Sequence, residues 1–240
     1  MQLMREKNRG TPPCELGLDA DAAPVKQHRL EGSQAKQFCN RDIRAITCFT
    51  PRTGISTLNG LKAVETLEVG DRVLTRDRGF QAVRWVGQRR LSFDAIPNNP
   101  NSLPVLIRAN ALGPGTPERD MIVSPRHRIL TTEKKLLSPM GEAEALVEAS
   151  ALVGQPGVMC VIPHYLTYIH VLFDQHEVIL SDNLWSESFF LGRPTIEALL
   201  EDQNTAIQDI FPQIATNPET SPQQLARPCL TREHIQKLCA

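Results

Sequence analysis

No apolar run in the sequence is long enough to cross a membrane as a helix, which needs about 20 such residues. Runs such as Val158–Pro163 are much shorter. Charge of one sign is also missing, because 26 lysines and arginines are balanced by 27 aspartates and glutamates. The composition therefore predicts neither a membrane span nor the basic surface of a protein that binds nucleic acid.

The six cysteines lack any Cys-x-x-Cys pair and any regular spacing. This argues against a disulfide framework and against a structural zinc site. His164, His170 and His176 recur every six residues. On a strand, neighbours at this spacing lie roughly 20 Å apart, and on a helix they point in different directions. We therefore expect no metal and no cofactor.

The N-terminus lacks the apolar segment and the small-residue cleavage site of a Sec signal peptide. This predicts a cytoplasmic start and leaves leaderless secretion open. Residues 1–45 mix proline, glutamine, arginine, aspartate and alanine without a sustained period. We expect this stretch to be a poorly ordered leader.

Turn signals and short β-like runs dominate residues 46–190. Asn59-Gly60 between two short apolar runs is a strong hairpin signal, and Asp182-Asn183 marks another turn. Strands are expected at Val105–Ala109 and Met121–Val123, and Leu91–Ser102 is expected to be a loop. This pattern predicts an all-β module.

Helical patterns are few. Glu142–Leu152 has helical composition and is the one helix expected inside the module. Beyond it, Thr195–Phe211 has the apolar spacing of an amphipathic helix. Residues 213–229 are expected to be a linker, and Thr231–Cys239 a short terminal helix. The predicted organisation is thus a leader, a β module and a short helical tail over residues 191–240.

The stretch Ile46–Pro51 places a thiol, Cys48, directly before the first hairpins. A cysteine that opens a β module after a long leader suggests a nucleophile whose substrate is its own preceding peptide bond. The competing interpretation is structural, since most free cysteines are small buried hydrophobes. Position alone favours that structural interpretation.

Two further stretches combine polar groups with strands. In Ser124-Pro125-Arg126-His127, the serine hydroxyl is suitably placed to orient the imidazole, and an oriented histidine can protonate an amide nitrogen. A histidine exposed in a loop is the alternative. In the second stretch, His170–Glu177, polar side chains interrupt apolar β-like sequence.

These segments, taken in order, resemble the Hint (Hedgehog/intein) domain, and most closely its bacterial hedgehog/intein-like branch. The resemblance covers Ile46–Phe190, and Gly192–Pro212 resembles a helix that often follows this branch. The segments that carry it are Cys48–Pro51, Val69–Thr75, Val83–Gly87, Ser124–His127 and Phe173–Val178. Each motif is weak alone, but five in this order are specific.

The resemblance implies an all-β horseshoe with pseudo-twofold symmetry that processes itself. Cys48 would attack the Thr47 carbonyl in an N-to-S acyl shift, making Thr47–Cys48 the scissile bond. The implied substrate is the chain's own N-terminal segment, and water or a small nucleophile would accept the acyl group. The resemblance also implies that His127 would protonate the amide nitrogen and that Ser124 would orient the His127 imidazole. Asp174 and His176 would lie near the same site.

Two departures from the family pattern limit this expectation. Inteins end in His-Asn, whereas this chain has Ser186-Glu187-Ser188 in that region, so full splicing is not expected. Arg52 also replaces a glycine in the loop after the nucleophile, at a position where a positive φ would favour glycine.

Three functions therefore remain open. The first is a single-turnover, self-cleaving cysteine domain. The second is a degenerate, non-catalytic Hint module that serves as a structural or interaction domain of a secreted or surface protein. The third is a cysteine hydrolase that uses Cys48 and His127 on an external substrate, although the resemblance places the scissile bond within the chain itself.

Overall fold

The computed structural model of the protein describes residues 47–93, 102–193, 195–196, 205–217, 219–230 and 235. The expected leader, residues 1–45, lies outside the described residues. So do most of the predicted loop Leu91–Ser102, the middle of the predicted helix Thr195–Phe211 and, apart from Ile235, the predicted helix Thr231–Cys239.

Short strands make up most of the described chain. They are β1 (Gly54–Thr57), β2 (Gly60–Ala63), β3 (Arg72–Thr75), β4 (Gly79–Ala82), β5 (Trp85–Ser92), β6 (Val105–Ile107), β7 (Met121–Val123), β8 (Arg128–Thr131), β9 (Ala145–Glu148), β10 (Val158–Cys160), β11 (Tyr165–Leu172), β12 (Val178–Ser181), β13 (Leu184–Glu187) and β14 (Cys229–Leu230). The helices are α1 (Lys134–Leu137), α2 (Ala149–Leu152), α3 (Thr205–Ile210) and α4 (Gln213–Thr216). None of these helices is long and apolar enough to span a membrane. The expected all-β class is confirmed.

The strands form three hydrogen-bonded groups. The largest follows the order β14-β9-β8-β13-β12-β1-β3-β4, with β2 beside β1. A second sheet has the order β10-β6-β7, and β5 pairs with β11. The β5–β11 ribbon is antiparallel and pairs eight residues on each strand, from Tyr165↔Ser92 to Leu172↔Trp85. This ribbon carries His170.

The predicted Asn59-Gly60 hairpin is present, with its turn displaced by one residue. Thr57 pairs with Gly60, so Leu58 and Asn59 occupy the turn. Gly60 then begins β2 with φ of +100°, which glycine adopts at little steric cost. The predicted Asp182-Asn183 turn is confirmed, because both residues have positive φ between β12 and β13.

The predicted helix at Glu142–Leu152 is wrong over its central part. Ala145–Glu148 instead forms β9, which pairs antiparallel with β8 and parallel with β14. Only the last turn is helical, as α2. The side chains of Ala145, Leu146 and Val147 are buried. Burial in a sheet has outweighed the weak helical preference of the local sequence.

The described part of the predicted tail, residues 191–240, packs against the β module. Within the expected linker, Gln213–Thr216 is helical and Cys229–Leu230 adds β14 to the main sheet. The side chain of Gln223 also accepts a hydrogen bond from Leu191 N and donates one to Phe173 O. This C-terminal segment, in its described residues 213–217 and 219–230, is therefore part of the packed fold.

Phe49 anchors the chain next to the candidate nucleophile. It packs in a buried cluster with Ile55, Val73, Ile169 and Phe173, among others. Burying a side chain of this size contributes roughly 1.5–3 kcal/mol. The residue after Cys48 is thus fixed in the core, which restricts where the thiol can lie.

Candidate active site

Two strands hold the junction between Thr47 and Cys48 in place. Phe49 exchanges two backbone hydrogen bonds with Ile169 of β11, each 2.9 Å long, and forms a bridge to Val123 of β7. Ser124, just after β7, donates its N–H to Cys48 O at 3.1 Å. The junction is therefore an extended segment with hydrogen bonds to both sides. Cys48 is only 1% exposed.

Both polar groups of the Thr47–Cys48 peptide unit contact side chains. The carbonyl oxygen of Thr47 lies 3.0 Å from Nδ1 of His170. The amide nitrogen of Cys48 donates to Oγ of Ser124 at 3.0 Å. A donor aimed at the carbonyl oxygen is the arrangement that stabilises negative charge on that oxygen during nucleophilic attack.

His170 contacts the candidate nucleophile as well as the carbonyl. Since a carbonyl oxygen can only accept, Nδ1 carries the proton and the neutral ring leaves Nε2 as an acceptor. Nε2 lies 3.9 Å from Sγ of Cys48. Burial lowers the pKa of His170 to about 4, opposed by the hydrogen bond with Thr47 O and aided by the charge of Arg89. The ring is thus neutral near pH 7 and able to accept a proton.

The Cys48 thiol is not ionised in the resting site. Burial raises its pKa well above the usual value, and the opposing effects of the Ser124 hydrogen bond and the nearby Arg89 charge are smaller. The thiolate is the reactive form of cysteine. The site therefore requires a base that removes the thiol proton as the nucleophile attacks.

Ser124 and His127 lie beside the junction, as expected, but they are not joined as expected. The two residues share a turn in which His127 N donates to Ser124 O at 3.0 Å. The Ser124 hydroxyl contacts Cys48 N, whereas both ring nitrogens of His127 have no hydrogen-bond partner among the described residues. The His127 ring packs edge-on against Phe49, with 4.4 Å between centroids. Burial lowers its pKa to about 4, opposed by the charge of Glu187.

Asp174 and His176 occupy different environments. The Asp174 side chain is 66% exposed and forms an ion pair with Arg84 at 3.2 Å. His176 is buried, and its Nδ1 accepts a hydrogen bond from Ala226 N at 3.0 Å. Its Nε2 therefore carries the proton and donates to Oε2 of Glu187 at 3.2 Å. His176 reaches the junction through Glu187, whereas the contacts of Asp174 are at the surface.

Glu187 is a fully buried carboxylate beside the junction. One oxygen, Oε1, accepts hydrogen bonds from the Thr47 hydroxyl and from Arg128 N, each at 2.9 Å. The other, Oε2, accepts from Arg128 Nη1 at 2.9 Å and from His176. Burial acts to raise the pKa of Glu187, but the His176 hydrogen bond and the Arg128 charge outweigh it, so the pKa is lowered. The carboxylate stays ionised.

His170 and Glu187 were both missed as candidate site residues. His170 was considered as a metal ligand and as the start of the polar stretch His170–Glu177, without a role in the reaction. Within the described residues no group of His, Cys, Asp or Glu is arranged to hold a metal ion. One signal was available for His170. Side chains alternate along a strand, so a histidine flanked by Ile169 and Val171 in β11 points to a face that differs from theirs.

Arg52 occupies the position that the sequence suggested would need a positive φ. Its φ is 72°, so the backbone there does adopt the left-handed conformation. Its N–H donates to Oε2 of Glu65 at 2.8 Å. The arginine is therefore accommodated in the loop after Cys48, at the steric cost of a non-glycine residue in this region.

Comparison with known proteins identifies a family match that begins at this junction. The sequence profile of the Hint domain family matches residues 47–193. A search of curated proteins found no significant match.

Several solved structures are similar over part of the chain. The gp41-1 intein is 13% identical, with a TM-score of 0.34, over 58% of this chain and 97% of that one. A bacterial intein-like domain from Clostridium thermocellum is 16% identical, with a TM-score of 0.38, over 60% and 99% of the two chains. The AceL NrdHF class 3 split intein is 12% identical, with a TM-score of 0.40, over 59% and 97%.

Proposed function

Because the chain belongs to the Hint domain family, we propose that it cleaves its own peptide bond between Thr47 and Cys48. The observation that carries the proposal is the position of His170. One imidazole lies 3.0 Å from the carbonyl oxygen to be attacked and 3.9 Å from the attacking sulfur. A single side chain can thus serve both partners of the reaction.

The cleavage begins with an N-to-S acyl shift, and the first step of that shift is attack by the Cys48 thiol to give a tetrahedral intermediate. Nε2 of His170 takes the thiol proton, and Sγ of Cys48 bonds to the Thr47 carbonyl carbon. Negative charge develops on the carbonyl oxygen, which is stabilised by the hydrogen bond from Nδ1 of the same ring. His170 is available to take this proton because burial, which lowers its pKa to about 4, keeps the ring neutral beforehand.

The second step breaks the bond between the Thr47 carbonyl carbon and the Cys48 nitrogen. This nitrogen must gain a proton as the bond breaks, and the thiol has lost one, so a single transferred proton balances the shift. The protonated His170 carries that proton. Ser124 holds the N–H of the same nitrogen, which orients its lone pair. The family resemblance implies His127 as the donor to this nitrogen; in that case the same single proton would pass from the thiol through His170 to His127.

The thioester is then resolved by water or a small nucleophile. The acyl group of Thr47 transfers to that acceptor, and the Cys48 thiol regains its proton. The product is an N-terminal segment that ends at Thr47, together with a domain that begins at Cys48. The reaction occurs once for each chain.

Intact-mass spectrometry tests the proposal directly. Purified protein is incubated with hydroxylamine, which converts a thioester to a hydroxamic acid and a free thiol. We expect two fragments, one ending in the hydroxamate of Thr47 and one beginning with Cys48. Cys48→Ala should give neither, while Cys160→Ala, at a partly exposed cysteine elsewhere in the fold, should cleave like the wild type.

The non-catalytic module is the second candidate, and one observation favours it. The Cys48 thiol is 1% exposed and its pKa is raised well above the usual value, which suits an inert core residue. An unchanged mass together with a folded circular-dichroism spectrum would establish this candidate. The same burial argues against a hydrolase that acts on an external substrate, because the thiol offers no exposed surface to it.

A further inference from the structure

Thr47 is held by its side chain as well as by its carbonyl group. Its hydroxyl donates to Oε1 of Glu187 at 2.9 Å, and the residue is only 8% exposed. Glu187 is 0% exposed. Three of the four hydrogen bonds that Glu187 accepts come from Arg128 and His176, and the fourth comes from the residue that would leave with the N-terminal segment.

We infer that Glu187 is a specificity subsite for the residue on the acyl side of the scissile bond, and that it selects a β-hydroxyl residue there. The substrate class is therefore an N-terminal segment that ends in threonine or serine. This inference rests on the proposed cleavage between Thr47 and Cys48 and adds to it a requirement for the side chain that precedes the bond.

The subsite is organised by contacts that do not involve Thr47. Arg128 donates to both carboxylate oxygens, from its backbone N–H and its guanidinium. His176 is fixed in one tautomer, because its Nδ1 accepts the N–H of Ala226 from the C-terminal segment. The carboxylate is thus held by Arg128 and His176, and Ala226 in turn fixes His176.

A buried carboxylate discriminates strongly against a residue that cannot donate. Replacing the hydroxyl by a methyl group leaves Oε1 of Glu187 with the N–H of Arg128 as its remaining donor among the described residues. Because the carboxylate is buried, bulk water does not replace the lost hydrogen bond. The same loss frees the Thr47 side chain, so the carbonyl group loses one of the contacts that position it. Looser positioning of a reacting carbonyl slows attack.

The test compares hydroxylamine-dependent cleavage rates of the wild type, Thr47→Ser and Thr47→Val. Serine keeps the hydroxyl and should cleave within about threefold of the wild type. Valine keeps the shape and lacks the hydroxyl, so we expect a rate lower by on the order of 10- to 100-fold, because the reacting carbonyl is held less precisely. A near-normal rate in Thr47→Ser would show that the site recognises the hydroxyl and not the size of the side chain.

Thr50→Val is the matched control. Thr50 is also buried and close to the junction, but its hydroxyl donates to Ile122 O at 2.7 Å rather than to Glu187. Its cleavage rate should stay within about threefold of the wild type. A second comparison uses Glu187→Gln, in which the acceptor is neutral and the rate difference between threonine and valine should shrink several-fold. Circular dichroism checks that each variant is folded.

The inference is overturned if Thr47→Val cleaves as fast as the wild type, or if Thr50→Val is slowed as much as Thr47→Val. It is also overturned if the difference between threonine and valine is unchanged in Glu187→Gln. Absence of cleavage in the folded wild type is a different result, because it removes the proposed function itself and the subsite with it.

Discussion

His170 and Cys48 face each other in the core, with 3.9 Å between Nε2 and Sγ. Burial raises the pKa of the Cys48 thiol and lowers that of the His170 imidazole to about 4. Both shifts favour the uncharged forms, so the resting pair is a thiol and an imidazole rather than a thiolate and an imidazolium. Proton transfer therefore has to accompany the attack on the carbonyl carbon.

Replacing His170 should slow cleavage strongly with little loss of fold. We expect His170→Ala to lower the hydroxylamine-dependent rate by about 10²–10⁴-fold, the usual contribution of a positioned acid or base. The change removes both the base for the thiol and the donor to the Thr47 carbonyl oxygen. Rates are measured from intact mass over time.

His164→Ala is the control for this change, because the His164 side chain is exposed and lies before β11. It should cleave like the wild type. His127→Ala tests the second imidazole, and the family resemblance predicts a strong decrease there too. A His170→Ala variant that is folded and cleaves normally would show that His170 takes no part in the reaction.

Stability should decrease as the pH falls from about 6.5 to about 4. Burial lowers the pKa of both His127 and His170 from 6.5 to about 4. In this range the unfolded chain binds protons that the folded chain does not, so the free energy of unfolding rises with pH. Each histidine should lower the free energy of unfolding by on the order of 3 kcal/mol as the pH falls across this range. Little of this loss should be present at pH 7.

Urea unfolding at pH 7, 6 and 5 measures this effect. His170→Gln removes one titrating group and should make the free energy of unfolding less dependent on pH than in the wild type. Equal slopes in His170→Gln and the wild type would contradict the assignment of a lowered pKa to His170.

Local patterns in the sequence predicted the strands well and the site only in part. Met121–Val123 is a strand with the expected bounds, because alternating burial over a short apolar run is a local property. The contacts of His170 with Thr47 and of Glu187 with Thr47 join residues more than 100 positions apart. No local period records such pairs, so the resemblance supplied Cys48 but neither of these two partners.

Arg52 offers a test of stability near the nucleophile. Its φ of 72° is unfavourable for a residue with a Cβ atom by about 1–2 kcal/mol. Glycine removes that cost, but its greater conformational freedom in the unfolded chain lowers the free energy of unfolding by roughly 0.5–1 kcal/mol. Arg52→Gly should therefore raise the free energy of unfolding by about 0.5–1 kcal/mol, measured by urea unfolding at pH 7.

Arg52→Ala is the matched variant, because alanine keeps the Cβ atom and removes the long side chain. It should give no comparable increase in the free energy of unfolding. If both variants are equally stabilised, the effect comes from the arginine side chain and not from the backbone conformation.

Processing should be confined to the N-terminal side of the domain. Ser188 is the hydroxyl nearest in sequence to the position where an intein has its terminal asparagine. Its Oγ accepts a hydrogen bond from Glu177 N at 2.9 Å, and the residue is 0% exposed. The next residue, Phe189, donates its N–H to Val171 O at 2.8 Å. The Ser188 hydroxyl thus has a structural role as a hydrogen-bond acceptor in the β12–β13 region.

Peptide mapping after prolonged incubation decides whether that assignment holds. We expect residues 189–240 to remain attached to the domain at every time point. Ser188→Ala should cleave at Thr47–Cys48 at the wild-type rate, while its free energy of unfolding falls by about 1–3 kcal/mol because Glu177 N loses its buried partner. A serine hydroxyl also needs an adjacent base to attack a thioester, and the neighbouring Glu187 is already occupied by Arg128 and His176. An ester that joins Thr47 to Ser188, or a free fragment beginning near Phe189, would contradict one-sided processing.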